Sequence, residues 1–289
     1  MFQRISRAQL HGIATVTVLT PVLWALPGVA KAQTPSPLQE WQYPGGIILE
    51  KLFAPQVPEW RIILGASAAW RPIYQGAKPY RVSPGPVINI RYRDIAFASM
   101  GEGLGVNVLR GENYRIGVTL GYDLGRKVSD YPSHLTGLGN IQPAPVIKLF
   151  AAYVPWKSFP VVLRADVRRV VGGANGFLGD LEAYMPLPGS SQRFVMFAGP
   201  SVTFADAAYQ QHVFGVGQAQ SFNSGYPQFK AHAGAQAVGF GFSATWFFTE
   251  HWMLNGDAAV SHLLGSANAS PITEQRTQEM LAVSLNYQF

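Results

Sequence analysis

The sequence predicts an all-β protein: a transmembrane antiparallel up-and-down β-barrel of about 12 strands, with a short proline-rich N-terminal periplasmic segment. Three observations predict it. Apolar and polar residues alternate along most of the chain, an export-type segment opens it, and the final residues alternate without interruption to an aromatic end.

The N-terminal segment reads as an address. Arg4 and Arg7 form a positive start, residues 13–26 form an apolar run, and Ala30 and Ala32 flank Lys31 as an A-x-A cleavage site before Gln33. The run is broken by Pro21 and falls short of the roughly 20 residues that a spanning helix needs. Residues 1–32 are therefore assigned as a signal peptide cleaved after Ala32. Residues 33–58 carry Pro35, Pro37, Pro44, Pro55 and Pro58, which disfavour strand pairing, so this stretch is a periplasmic leader. The barrel domain is assigned to residues 59–289.

Within that domain, period-two patterning is clear in six internal segments. Residues 60–70 place Trp60, Ile62, Leu64, Ala66, Ala68 and Trp70 on one face, with Arg61, Gly65 and Ser67 on the other. In residues 88–93, Ile88, Ile90 and Tyr92 oppose Asn89, Arg91 and Arg93. Residues 114–124 alternate from Tyr114 to Leu124 against Arg115, Gly117, Thr119, Gly121 and Asp123. The same rhythm runs through 161–168, 238–248 and 252–261, and weaker candidates cover 94–109, 141–154, 178–187, 193–204 and 209–218. A wall with lipid outside and a polar lumen inside requires this pattern, and an even strand number suits a single bacterial chain. A soluble β-sandwich also alternates, but it would not place Trp, Tyr and Phe at strand ends where a membrane barrel has aromatic girdles. The segment 125–140 is long for a periplasmic turn, and its side depends on whether 94–109 is one strand or two.

Composition excludes several functions. The chain has no Cys, which removes disulfides, thiolate metal sites and Cys nucleophiles. Half of the formal +6 comes from Arg4, Arg7 and Lys31 in the signal, so the charge gives no argument for nucleic acid. His134, His212, His232, His251 and His262 lie in no nucleophile or metal-binding motif, and the adjacency of Ser133 and His134 reads as a polar loop. No catalytic, cofactor or metal site is expected. The lumen-facing charges are a richer set: Arg61, Arg91, Arg93, Arg115, Lys148, Arg164 and Arg168 against Asp123, Asp166, Asp180, Glu182 and Asp257. In a narrow barrel they form a salt-bridged plug or line a selective pore, and the mixed signs favour the plug.

The chain ends with Leu281, Val283, Leu285, Tyr287 and Phe289 on one face. This resembles the terminal signal read by the barrel assembly machinery, since an unpaired strand edge is a template for docking. Several motifs then resemble the MipA/OmpV (MltA-interacting protein) family. They are Tyr74 and Gly76 after Pro72; Arg91, Tyr92, Arg93 and Asp94; Gly103, Gly105 and Asn107; Tyr122, Gly125 and Arg126 followed by Leu135, Gly137, Gly139, Asn140 and Ile141. Further matches are Asp206 and Tyr209; Phe214, Gly215 and Val216; Ser224, Gly225 and Tyr226; Ser270, Pro271 and Ile272. The resemblance implies a non-enzymatic barrel in the outer membrane of a Gram-negative cell. It also implies a scaffold linking a periplasmic murein hydrolase and a murein synthase to that membrane, with the leader and periplasmic turns as docking surface. A small-solute channel, or an adhesin using loops 72–83, 217–228 and 265–276, is the alternative.

Overall fold

The computed structural model describes residues 58–156, 160–191 and 193–289; the expected signal peptide (1–32) and all but Pro58 of the expected leader (33–58) lie outside them. Twelve antiparallel strands close into one barrel. They are β1 (Trp60–Pro72), β2 (Tyr80–Tyr92), β3 (Ala96–Ser99), β4 (Gly103–Arg110), β5 (Tyr114–Asp123) and β6 (Ala144–Tyr153). The circuit continues with β7 (Val162–Val170), β8 (Gly176–Pro186), β9 (Phe194–Ala205), β10 (Gly234–Phe247), β11 (Trp252–Leu263) and β12 (Thr277–Gln288). Closure comes from β1 against β12, in register from Ile63 opposite Gln288 to Trp70 opposite Leu281. Pairing of the first strand with the last leaves no sheet edge at this seam.

Facing follows the alternation. On β5, Val118, Leu120 and Tyr122 are exposed while Arg115, Thr119 and Asp123 are buried, and β6 and β7 repeat the rule residue by residue. Exposed aromatics collect at both strand ends. Trp60, Tyr114, Tyr153, Trp246 and Trp252 mark the end shared with Phe289, while Tyr122, Phe177 and Phe204 mark the other. These are the two interfacial girdles, and the outward Val, Leu and Ile between them form the lipid-facing band.

Two strand assignments change, and they cancel in the count. The single strand expected over 94–109 is two short strands, β3 and β4, joined by the turn 100–102, after which Gly103 opens β4 at φ +82°. The strand expected over 209–218 is instead a helix, α2 (Ala207–Phe214). Asp206 nucleates it by accepting the Tyr209 N–H at 2.7 Å, an N-cap that period-two reading overlooks. With β3 and β4 separated, residues 124–143 fall at the end opposite Phe289, together with residues 73–79, 206–233 and 264–276. Short helices lie in these long connections: α1 (Pro132–Leu135), α2, α3 (Gln218–Ser224) and α4 (Gly265–Ala269). Turns at the Phe289 end are shorter, as they are on the periplasmic side of such barrels.

Candidate functional site

The lumen is filled in layers. Toward the periplasmic end, Asp94 pairs with Arg115 at 2.5 Å, and Asn107 donates to the Asp94 carbonyl at 3.0 Å. Glu102, on the β3–β4 turn, reaches inward between Arg91 at 2.8 Å on one wall and Arg164 at 3.5 Å on the opposite one. Each of these guanidiniums also sits over a ring, Arg91 over Phe97 and Arg164 over Phe150, and the two rings meet edge-on at 6.1 Å. Ala152, Val154, Val162 and Tyr184 join Met280 of β12 in an apolar cluster that crosses the bore. Arg168 then bonds Asp180 and lies 3.7 Å from Asp166.

Most of the charges expected in the lumen are there. Arg91, Arg115, Lys148, Arg164 and Arg168 are buried with Asp123, Asp166, Asp180 and Glu182, while Arg61 and Asp257 are half-buried. Arg93 is the exception. It occupies a turn at φ +48°, is exposed, and pairs with Glu59 at 2.8 Å, because β2 ends at Tyr92 and alternation ends with it. The expected lumen charges do not include Asp94 and Glu102, the two acids that neutralise the lower arginines, since both lie on turns where period two gives no facing.

Over the outer mouth the four long connections form a cap. Ile73, Tyr74, Ala77, Leu135, Leu138, Val216 and Ile272 make one buried apolar cluster drawn from all four. His134 sits among Tyr74, Tyr131 and Tyr226. One ring nitrogen lies 2.9 Å from the Ile272 carbonyl and the other 2.7 Å from the Tyr226 hydroxyl, with Glu274 at 3.7 Å. Both nitrogens are thus engaged in holding the loops together. Gly137 carries φ +87°, and a Cβ there would stand 2.5 Å from the Asn223 carbonyl, so only glycine allows this close approach of two connections. Ser270 completes the lacing by donating to the Phe214 carbonyl at 2.6 Å. Burial pushes the phenols of Tyr74, Tyr209 and Tyr226 above the ordinary tyrosine value.

Between cap and plug lies a chamber of about 260 Å³. Arg71, Asp123, Arg126, Gln236, Gln278 and Tyr209 line it, with Leu178, Val213 and Met280 as its apolar part. Arg126 is only 7% exposed, donates to the Val213 carbonyl at 3.0 Å, and lies 5.5 Å from the Tyr74 ring centre. Burial lowers its pKa from the usual arginine value, and no carboxylate lies within ion-pair distance of it among the described residues. Neither Arg71 nor Arg126 stood among the expected lumen charges. Arg71 could have been found by extending the β1 alternation, whereas Arg126 lies beyond the last paired residue of β5 and gave no such signal. No group of three or more His, Cys, Asp or Glu positioned to hold a metal occurs among the described residues.

Several of the motif residues meet in two places: Arg91, Asp94 and Asn107 in the lower charge layer, and Tyr74, Leu135, Gly137, Val216, Tyr226 and Ile272 in the cap. A family model described as "MltA-interacting protein MipA" matches residues 64–289, nearly the whole barrel. The chain belongs to this MipA family. No curated protein matches the sequence significantly. Among solved structures, similarity extends to the NanC porin, with 7% identity over 78% of this chain and 98% of that one and a TM-score of 0.41. It extends also to the CymD monoaromatic hydrocarbon channel, with 11% identity over 90% and 94% and a TM-score of 0.41. A third is OmpT of Vibrio cholerae, with 7% identity over 80% and 97% and a TM-score of 0.38. This MipA-family chain is an outer-membrane barrel with a plugged and capped lumen.

Proposed function

We propose that this MipA-family barrel is a non-enzymatic outer-membrane anchor that tethers a periplasmic murein hydrolase of the MltA type, together with a murein synthase, to the membrane. The observation that carries the reading is closure of the lumen at two levels, by the cross-lumen layers and by the four-loop cap. A barrel so closed offers its periplasmic face and leader, and not a bore, as its working surface. The family description, "MltA-interacting protein", supports the choice of MltA as the kind of partner. In this reading the signal peptide is cleaved after Ala32, and the barrel assembly machinery inserts the mature chain through its closing strand.

Cross-linking in living cells, followed by identification of proteins joined to the periplasmic turns, tests the proposal. Recovery of a murein hydrolase and a synthase is expected. Cross-links confined to the assembly machinery and other outer-membrane proteins would overturn it. The small-solute reading draws on one observation of its own, the 260 Å³ chamber with its buried arginine.

A further inference from the structure

The barrel wall is incomplete on one side. β2 pairs with β1 along its whole length, from Trp60 opposite Tyr92 to Pro72 opposite Tyr80. On its other side it pairs with β3 only from Asn89 to Tyr92. β4 likewise leaves β5 after Leu104 opposite Leu120. Above the β3–β4 turn, therefore, the edge of β2 from Val82 to Val87 and the upper end of β5 face each other with no ladder between them among the described residues.

The sequence of this edge suits it to remain unpaired. Met100 donates to the Ile88 carbonyl at 3.1 Å, so Ile88 directs its peptide groups away from β1. Alternation gives residues 86, 84 and 82 the same direction. Two of these are Pro84 and Pro86, which have no N–H to leave unsatisfied against lipid. Inward-facing Asn89 and Arg91 are 1% and 5% exposed, yet Ser83, Gly85 and Val87 above them are only half-buried. Gly85 and Gly121 flank the gap, and a Cβ on either would find its nearest neighbour 3.8 or 3.9 Å away, where real side chains have room. The Arg81–Asp130 ion pair at 3.5 Å carries the 124–143 connection over the top of the opening. Tyr80 and Tyr122 mark the outer girdle there, which sets the gap within the outer half of the apolar band.

Inside, Gly121 and Asp123 are successive inward residues of β5, and Asp123 already lines the chamber that holds Arg126. We propose that the gap between β2 and β5 is a lateral window through which a single-chain anionic amphiphile passes between the outer half of the membrane and the capped chamber, its headgroup resting on Arg126. The window supplies a lipid-side route, Arg126 a buried cation with no ion-paired acid among the described residues, and Leu178, Val213 and Met280 an apolar wall. This activity is independent of any murein enzyme held on the periplasmic face.

The test uses the mature chain in phosphatidylcholine nanodiscs with a diazirine-bearing decanoate, and mass spectrometry to locate the photo-adducts. Saturable labelling of chamber residues such as Leu178 and Tyr209 is expected, competed by unlabelled decanoate and at least tenfold weaker with the matching uncharged decanol probe. Arg126→Gln should lower chamber labelling at least tenfold, and Arg126→Lys should restore most of it. Gly85→Leu with Gly121→Leu should fill the window and produce the same loss while heat-modifiable mobility stays normal; if that pair fails to fold, Gly121→Val alone takes its place. Adducts confined to the outward Val82, Pro84 and Ile88, equal labelling by the uncharged probe, or chamber labelling indifferent to the filled window would each overturn the proposal.

Discussion

Replacing Glu102 by Gln removes one negative charge from between two arginines on opposite walls, and the structure sets the size of the effect. The carboxylate is 1% exposed and lies 2.8 Å from Arg91 and 3.5 Å from Arg164. At an effective dielectric near 20, Coulomb's law gives about 5–6 kcal/mol for each contact before desolvation is counted. Breaking a buried pair by removing one partner costs about 3–5 kcal/mol net, since the remaining charge stays buried. Gln retains an acceptor for Arg91, so the lower end, about 3 kcal/mol, is expected. Urea titrations of folding into detergent or lipid, followed by heat-modifiable mobility, measure it. Glu279→Gln is the control: it is exposed near the outer rim and should change stability by less than about 0.5 kcal/mol. A Glu102→Gln loss below about 1 kcal/mol would refute the view that this acid holds the two walls together.

Other perturbations address facing and the cap. Arg at Val118, on the lipid face, should cost roughly 2–4 kcal/mol in a folding titration, whereas Arg at inward Ser243, opposite Asp257 on β11, should cost less; equal costs would contradict the facing. Gly137→Ala strains a residue at φ +87° and drives a Cβ toward the Asn223 carbonyl, so the cap should lose about 1–3 kcal/mol and residues 206–233 should become more protease-sensitive while the barrel stays folded. Burial raises the pKa of the Tyr74 and Tyr209 phenols above the ordinary value near 10. An opened cap releases those protons first, so the cap should keep its full stability below about pH 10 and lose it as pH rises toward the raised values. Tyrosinate absorbance that develops only as the cap becomes protease-sensitive is the expected coincidence.

Where one rule governs one element, the fold could be read from the residues. β5, β6 and β7 alternate because each residue faces either lipid or lumen, and their charges fell where period two put them. Period two says nothing about a turn, so the inward placing of Asp94 and Glu102 is not legible in it, although they neutralise Arg115 and Arg91. The upper half of β2 was hidden by Pro84 and Pro86, which normally argue against a strand; they are tolerated because their nitrogens face the unpaired edge. Over 209–218, Tyr209 and Phe214 mimic a strand's apolar residues, but the Asp206 cap and burial at helical spacing make α2. The cap itself was beyond reach. Ile73, Leu135, Val216 and Ile272 are far apart in the chain, and no local pattern announces that they meet.

Conductance of the purified mature barrel in planar lipid bilayers tests the central claim of a closed lumen most directly. The plug and the cap predict no steady porin-like current at moderate voltage, for the wild type and equally for a variant lacking the cap helices α2 and α3, because the Glu102 layer and the Tyr184–Met280 cluster still cross the bore. Large, reproducible open channels from the wild-type barrel would contradict the account.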